Sequence, residues 1–125
     1  MENVFALLVG LQIKHFAADY LLQNAWMITG KRSLLALGGY AHAGIHVLGT
    51  ALVLTFFGLP LTFVLAILAA EFVIHYGLDF AKAHYGDGIS SIEQPRKFWA
   101  ANGLDQLFHH LTYIGIVYFV ATIGP

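Results

Sequence analysis

Four apolar stretches of the chain each carry two side chains of the kinds that bind metal ions, spaced four residues apart. A spacing of four places both members of a pair on one face of an α-helix, one turn apart. Ionisable side chains in apolar surroundings of this kind are costly and are usually functional. The pairs are His15 and Asp19, His42 and His46, His75 and Asp79, and Asp105 and His109.

Together the pairs offer imidazoles and carboxylates but no thiolate, because the chain has no cysteine. One metal ion takes three or four protein ligands, so a set of eight suits two divalent ions. A set dominated by imidazole favours zinc, with manganese or iron as the next choices. Two alternatives remain open: a hydrogen-bonded proton network without metal, and the packing of polar side chains inside a helical bundle.

Two further charged residues lie beside these pairs. Glu71 precedes His75 by one helical turn, which makes it a candidate catalytic base and also an alternative ligand. Lys14 lies near the middle of the first apolar stretch, where a cation is costly unless it faces water or a partner. We expect Lys14 either to snorkel or pair with an aspartate of the site, or to contact an anionic substrate.

The composition indicates a membrane protein, since 58% of the residues are hydrophobic and 10% are charged, against roughly 25% charged in soluble domains. A net charge of −1 gives no argument for binding nucleic acid. A spanning helix needs about 20 mostly apolar residues. We therefore predict an all-α membrane protein, a bundle of four transmembrane helices forming one domain over residues 1–125. The windows are about Val4–Leu22, Leu34–Phe57, Leu61–Phe80 and Trp99–Ile123, with a polar connection at Asn24–Ser33 and the longest loop at Tyr85–Lys97.

Basic residues near the ends of these segments predict the orientation. Lys31 and Arg32 lie in the first connection, and Lys82, Arg96 and Lys97 flank the third. We expect an integral protein of a bacterial inner membrane, with both termini outside and the first and third loops in the cytoplasm. All four pairs then fall at about one depth, in the cytoplasmic half of the bilayer.

The sequence also carries a short internal repeat. The segment His15–Tyr20 matches His75–Phe80 as His-aromatic-x-x-Asp-aromatic, and each is followed by a connection and a pair that ends in His. The two helical hairpins are therefore predicted to be parallel repeats, related by a pseudo-two-fold axis along the membrane normal.

The run Lys14–Gln23, followed by Trp26 and Met27, resembles the motif of a bacterial and phage family of small membrane proteins of unknown function. The motifs His42-x-x-x-His46, His75-x-x-x-Asp79 and Asp105-Gln106-x-x-His109 belong to the same resemblance, which covers nearly the whole chain. It implies a helical membrane fold. The chain is also distantly similar to membrane-bound metal-dependent hydrolases, which carry His and Asp motifs on apolar helices.

These observations predict a membrane-embedded dinuclear metal-dependent hydrolase that acts from the cytoplasmic side on a phosphoester, such as an amphipathic or lipid phosphate. One alternative is a protein that binds, transports or senses metal ions or protons without catalysis. A second alternative is a membrane di-iron oxidase. The predicted partners are the lipid bilayer and this substrate, and a homo-oligomer is compatible with the sequence.

Overall fold

The chain folds into helices that run nearly its whole length. The computed structural model describes residues 2–123 and, within them, contains no strand. The five α-helices are α1 (Glu2–Phe16), α2 (Ala25–Gly30), α3 (Leu37–Leu54), α4 (Leu61–Tyr85) and α5 (Pro95–Ile123). A π-helical turn, Ala17–Leu21, extends α1, and a 3-10 turn, Thr55–Phe57, extends α3.

Four of these helical segments are long and apolar enough to cross a membrane, as the sequence predicted. The last two are longer than their apolar windows, because α4 continues to Tyr85 and α5 begins at Pro95. Helical hydrogen bonds are local, so the polar residues beyond an apolar window do not end the helix. Proline is well suited to the first helical position, since its missing N–H has no partner to lose there.

The first connection, predicted to be a polar connection, contains the short helix α2. Asn24 caps this helix, because its Oδ1 accepts a hydrogen bond from the backbone N–H of Met27 at 3.0 Å. α2 packs against the beginning of α3 at two glycines. A Cβ on Gly30 would lie 2.7 Å from the Cα of Gly38. The two backbones are therefore so close that only glycine fits at this position.

The four long helices form a ring in which each packs against two neighbours. α1 packs against α3 and α5, and α4 packs against the same two helices. A two-fold axis along the bundle would exchange α1 with α4 and α3 with α5 while preserving these neighbour relations. The arrangement is therefore compatible with the predicted parallel repeat.

The interior of the ring divides into a polar layer and an apolar layer. The apolar layer is a continuous core, whose buried members are Leu7, Leu11, Leu54, Ile67, Tyr113, Ile116 and Val117. The polar layer lies toward the first and third connections and contains most of the buried charged and imidazole side chains. Large apolar residues cover the outer surface instead, as at Leu52, Phe56 and Val73. This inverted distribution suits a lipid surround.

Candidate metal centre

The first group of candidate ligands joins three helical segments. One donor atom each from Asp19, His42, His46 and His75 lies within 4.8 Å of the other three. Oδ1 of Asp19 is 2.9 Å from Nε2 of His46 and 3.1 Å from Nε2 of His42. His42 and His46 are fully buried and the side chain of Asp19 is 12% exposed, so the imidazoles are shielded from bulk water and the carboxylate is partly accessible.

The second group lies next to the first and shares one residue with it. Donor atoms of His75, Asp79 and His109 lie within 4.8 Å of one another. Asp105 adjoins this group, because its Oδ1 is 3.3 Å from Nε2 of His109. The ring of His75 lies between those of His46 and His109, at centroid distances of 3.8 and 4.3 Å. His75 is therefore the residue through which the two groups are continuous.

The contacts of the two groups correspond across the predicted repeat. Asp19 Oδ1 lies 2.9 Å from Nε2 of His46, and Asp79 Oδ1 lies 3.4 Å from Nε2 of His109. Within each His-aromatic-x-x-Asp-aromatic motif, the histidine Nε2 lies 3.3 or 3.4 Å from Oδ2 of its own aspartate. Both halves thus place an aspartate against the last histidine of the following helix.

Besides Asp105, His15 is a predicted ligand that lies outside both groups. Its Nδ1 is 2.9 Å from the hydroxyl of Tyr113, and its Nε2 is 2.8 Å from Oε1 of Gln106. Both ring nitrogens therefore have hydrogen-bonding partners. Gln106 also donates through Nε2 to Asp19 Oδ2 at 3.3 Å and to Asp105 Oδ2 at 3.2 Å. His15 Nε2 also lies 3.3 Å from Asp19 Oδ2, so His15 helps to orient Asp19. The set of eight ligands stays a prediction.

The donor atoms fit a cation better than they fit one another. Among the described residues, five buried donor atoms of the candidate ligands lie within 3.5 Å of an ionisable neighbour but have no hydrogen-bond partner. A buried polar atom without a partner costs about 1–3 kcal/mol, and native structures contain few of them. Their concentration at one place is typical of ligands that converge on a common point. The atoms are Nε2 of His42, Nε2 of His75, Oδ2 of Asp79, Oδ1 of Asp105 and Nε2 of His109.

Lys14 and Glu71, the predicted anion contact and catalytic base, are paired with each other. Lys14 Nζ lies 2.5 Å from Glu71 Oε1, and both side chains are buried. Nζ also lies 3.4 Å from Nδ1 of His46, donates to the backbone oxygen of His46, and lies 4.4 Å from the ring centroid of Tyr113. Lys14 was expected to snorkel, to pair with an aspartate of the site or to contact an anionic substrate; its buried partner is Glu71 and not an aspartate of the site. The roles predicted for both residues stay predictions.

Three further residues contact the ligand groups or Asp105: Tyr113, Lys31 and Lys82. No role was predicted for Tyr113, and the two lysines were related only to membrane orientation. Tyr113 follows His109 by four residues, and this spacing predicts that both side chains share one face of α5. Lys31 Nζ lies 3.0 Å from Asp79 Oδ2 and donates to Gln23 at 2.6 Å. Lys82 Nζ lies 3.0 Å from Asp105 Oδ2. The sequence did not predict these two lysine contacts, because each lysine and its aspartate belong to different segments of the chain.

Comparison with known families places this site within a named group of proteins. A family model described as a protein of unknown function, DUF3307, matches residues 7–124. The chain belongs to the DUF3307 family. No curated protein and no solved structure matches the chain. The match includes all candidate ligands, so the two His/Asp groups lie within the DUF3307 domain itself. The expected membership of an uncharacterised family is confirmed, and the family description names no activity.

Proposed function

We propose that the protein is a membrane-embedded metal-dependent hydrolase with two divalent ions at the adjoining His/Asp groups. The observation that carries this proposal is the pair of buried ligand groups that share His75. Two adjacent ions form the usual centre for the hydrolysis of phosphoesters. Zinc is the first choice, and manganese or iron the next, because the donors are imidazole nitrogens and carboxylate oxygens without thiolate.

The position of each residue suggests which of the two ions it would bind. Asp19, His42 and His46 would hold one ion, Asp79, Asp105 and His109 the other, and His75 would lie at the junction. Two divalent ions, when bound, supply an activated water and an electrophile for the ester oxygen. The chain holds its ligands in place by hydrogen bonds, as metal sites generally require. Gln106 and His15 orient Asp19, and Tyr113 and Lys14 contact the Nδ1 side of His46.

Glu71 is better placed to position a ligand than to act as a base. Its carboxylate holds Lys14, and Lys14 contacts Nδ1 and the backbone oxygen of His46. Nε2 of the same imidazole faces Asp19 at 2.9 Å. The ring of His46 therefore separates the Lys14–Glu71 pair from the carboxylate of the first group. We assign to Glu71 the role of fixing Lys14, and through it the orientation of His46.

The proposed substrate is a phosphoester carried by an amphipathic or lipid-like molecule that enters from the cytoplasmic side. The polar layer lies toward the first and third connections, which the distribution of basic residues assigns to the cytoplasm. The apolar core occupies the other part of the interior. An access route from the side of these connections passes polar residues, whereas a route from the other end would cross the apolar core.

Elemental analysis of the purified protein tests the proposal. We expect about two equivalents of a divalent transition metal per chain, and hydrolysis of a generic phosphoester, p-nitrophenyl phosphate, that depends on this metal. His46→Ala and Asp79→Ala should each lower metal content and hydrolysis. His84→Ala is the matched control, because His84 is exposed and its ring contacts Phe80 and none of the candidate ligands among the described residues. Purified wild-type protein that binds neither added zinc nor manganese nor iron would refute the proposal.

The same measurement distinguishes the two alternatives. Iron with a visible absorption band would favour an oxidase, whereas bound metal without hydrolysis would favour sensing or storage. Conduction of ions through one chain is disfavoured by the apolar core, in which Leu7, Leu11 and Leu54 are almost completely buried. A charge in such a layer would be costly without a polar partner.

A further inference from the structure

A cavity lies at the end of the bundle where the first and third connections meet. Its volume is about 370 Å³, which is within the usual range for sites that bind small molecules. The first connection, α4 and α5 all contribute to its walls. Asp79 of the second ligand group lines it as well, so the cavity reaches the candidate metal centre.

The charged residues of this cavity are mostly cations. Lys31, Arg32 and Lys82 line it together with one carboxylate, that of Asp79. The lining alone has a formal charge of +2, and the carboxylates of Asp87 and Asp105 lie beside it, in contact with Arg32 and Lys82. The amides of Gln23 and Asn102 add neutral hydrogen-bond donors. Such a lining offers an anion positive charge and several hydrogen-bond donors.

The two lysines connect the cavity to the ligand groups. Lys31 Nζ is 3.0 Å from Asp79 Oδ2, and Lys82 Nζ is 3.0 Å from Asp105 Oδ2. An ammonium group has three donors, so each lysine retains hydrogen-bonding capacity after contacting its aspartate. An anion held by these lysines would therefore lie beside the carboxylates of the second group.

We propose that this cavity binds the phosphate group of the substrate, with Lys31, Arg32 and Lys82 as its cationic contacts. The inference rests on the proposed function in that it takes the His/Asp groups as the place of reaction. Lysine and arginine form charge-assisted hydrogen bonds to phosphate, and arginine does so in bidentate geometry. The apolar residues Ile28, Ile89 and Phe98 line the same cavity and suit the hydrocarbon part of an amphipathic phosphate.

Titration of the full-length protein in detergent with inorganic phosphate tests this assignment by calorimetry. Arg32→Ala and Lys82→Ala should each weaken phosphate binding by about tenfold, the effect expected from losing one charge-assisted hydrogen bond. Lys97→Ala is the matched control, because Lys97 is an exposed basic residue that does not line the cavity. Equal phosphate affinity in the wild type and both cavity variants would overturn the inference.

Arg32 makes the test independent of the metal centre. Its ion pair is with the exposed Asp87 at 2.9 Å, and not with a carboxylate of the ligand groups. The Arg32→Ala variant should therefore keep its metal content while losing affinity for phosphate. Metal-bound protein with unchanged phosphate affinity refutes the cavity assignment alone. Protein without metal whose phosphate binding still depends on Arg32 supports the cavity and refutes the dinuclear centre.

Two sources of phosphate are compatible with this cavity, and competition separates them. Nanodiscs containing phosphatidic acid should displace inorganic phosphate if the ligand is a lipid headgroup, whereas phosphatidylcholine nanodiscs serve as the control. Displacement by soluble glycerol 3-phosphate, but not by the lipid, would assign a soluble phosphoester. Failure of both compounds to displace bound phosphate would contradict a site for phosphoesters.

Discussion

Lys14 on α1 and Glu71 on α4 form an ion pair inside the bundle, with Nζ 2.5 Å from Oε1. The exposed fraction of their side chains is 6% and 0%, respectively. Lys14 contacts both the ring of Tyr113 and Nδ1 of His46, so the pair lies where the apolar core meets the first ligand group. Two opposite charges that would each be costly alone are thereby tolerated at this depth.

Removing one member of this pair should destabilise the bundle strongly. Lys14→Met or Glu71→Leu leaves an uncompensated buried charge, which costs about 3–5 kcal/mol. The double variant removes both charges and should recover much of that loss. Unfolding free energies measured in mixed micelles would show the difference, with the exposed Lys97→Met as control. Strictly additive losses in the double variant would show that the pair does not stabilise the fold as a unit.

The hydroxyl of Tyr113 is predicted to set the affinity for metal. It lies 2.9 Å from Nδ1 of His15 and 3.4 Å from Nδ1 of His46, and Tyr113→Phe removes both contacts while keeping the ring. Loss of an orienting hydrogen bond typically weakens metal binding by about 10–100-fold. Competition with a chelator of known affinity measures this effect. Tyr118→Phe, at an exposed position, should leave the affinity unchanged.

Substitution by alanine should have different effects at two glycines, one in the close contact of α2 with α3 and one in open space on α4. A Cβ on Gly38 would overlap the backbone oxygen of Trp26, so Gly38→Ala should destabilise the protein by about 1–3 kcal/mol. Gly77 lies within α4, and a Cβ there would have no other atom within 4 Å. Gly77→Ala should therefore be neutral or stabilising, by up to about 1 kcal/mol. Thermal unfolding of both variants compares them directly.

The membrane orientation can be tested by thiol labelling, because the chain has no cysteine of its own. We expect Ser33→Cys and Ser91→Cys, in the first and third connections, to be protected from an impermeant reagent added outside the cell. Thr62→Cys, at the start of α4, should react. The basic residues near the first and third connections give this expectation. Labelling of Ser33→Cys from outside, with Thr62→Cys protected, would reverse the proposed orientation.

The sequence was sufficient to predict the four long helices and the convergence of most candidate ligands. Apolar windows of membrane length are a strong signal, and a pair such as His42 and His46 must share one helical face. The common depth of the four pairs of candidate ligands was predicted from the position of each pair within its apolar segment. These features depend on local periodicity and on helix length, which a single sequence contains.

Long-range partners could not be predicted in the same way. Lys14 and Glu71 are 57 residues apart, and their pairing depends on how α1 and α4 face each other across the bundle. The position of His15 outside both groups depends on Tyr113 and Gln106, which approach it from α5. Helix α2 was missed because its six residues are too short for a periodic apolar pattern, although its cap, Asn24, was visible.

The π-helical turn at Ala17–Leu21 has a consequence for how the first ligand group can change. The backbone N–H of Leu22 donates to the oxygen of Ala17 at 3.0 Å, so this ring contains one residue more than an α-helical ring. Asp19 lies within the turn. A shift from i→i+5 to i→i+4 bonding would re-aim the Asp19 carboxylate relative to His42 and His46. For the proposed ion, a change of backbone register within this one turn is therefore enough to move one of its ligands while the four long helices stay in place.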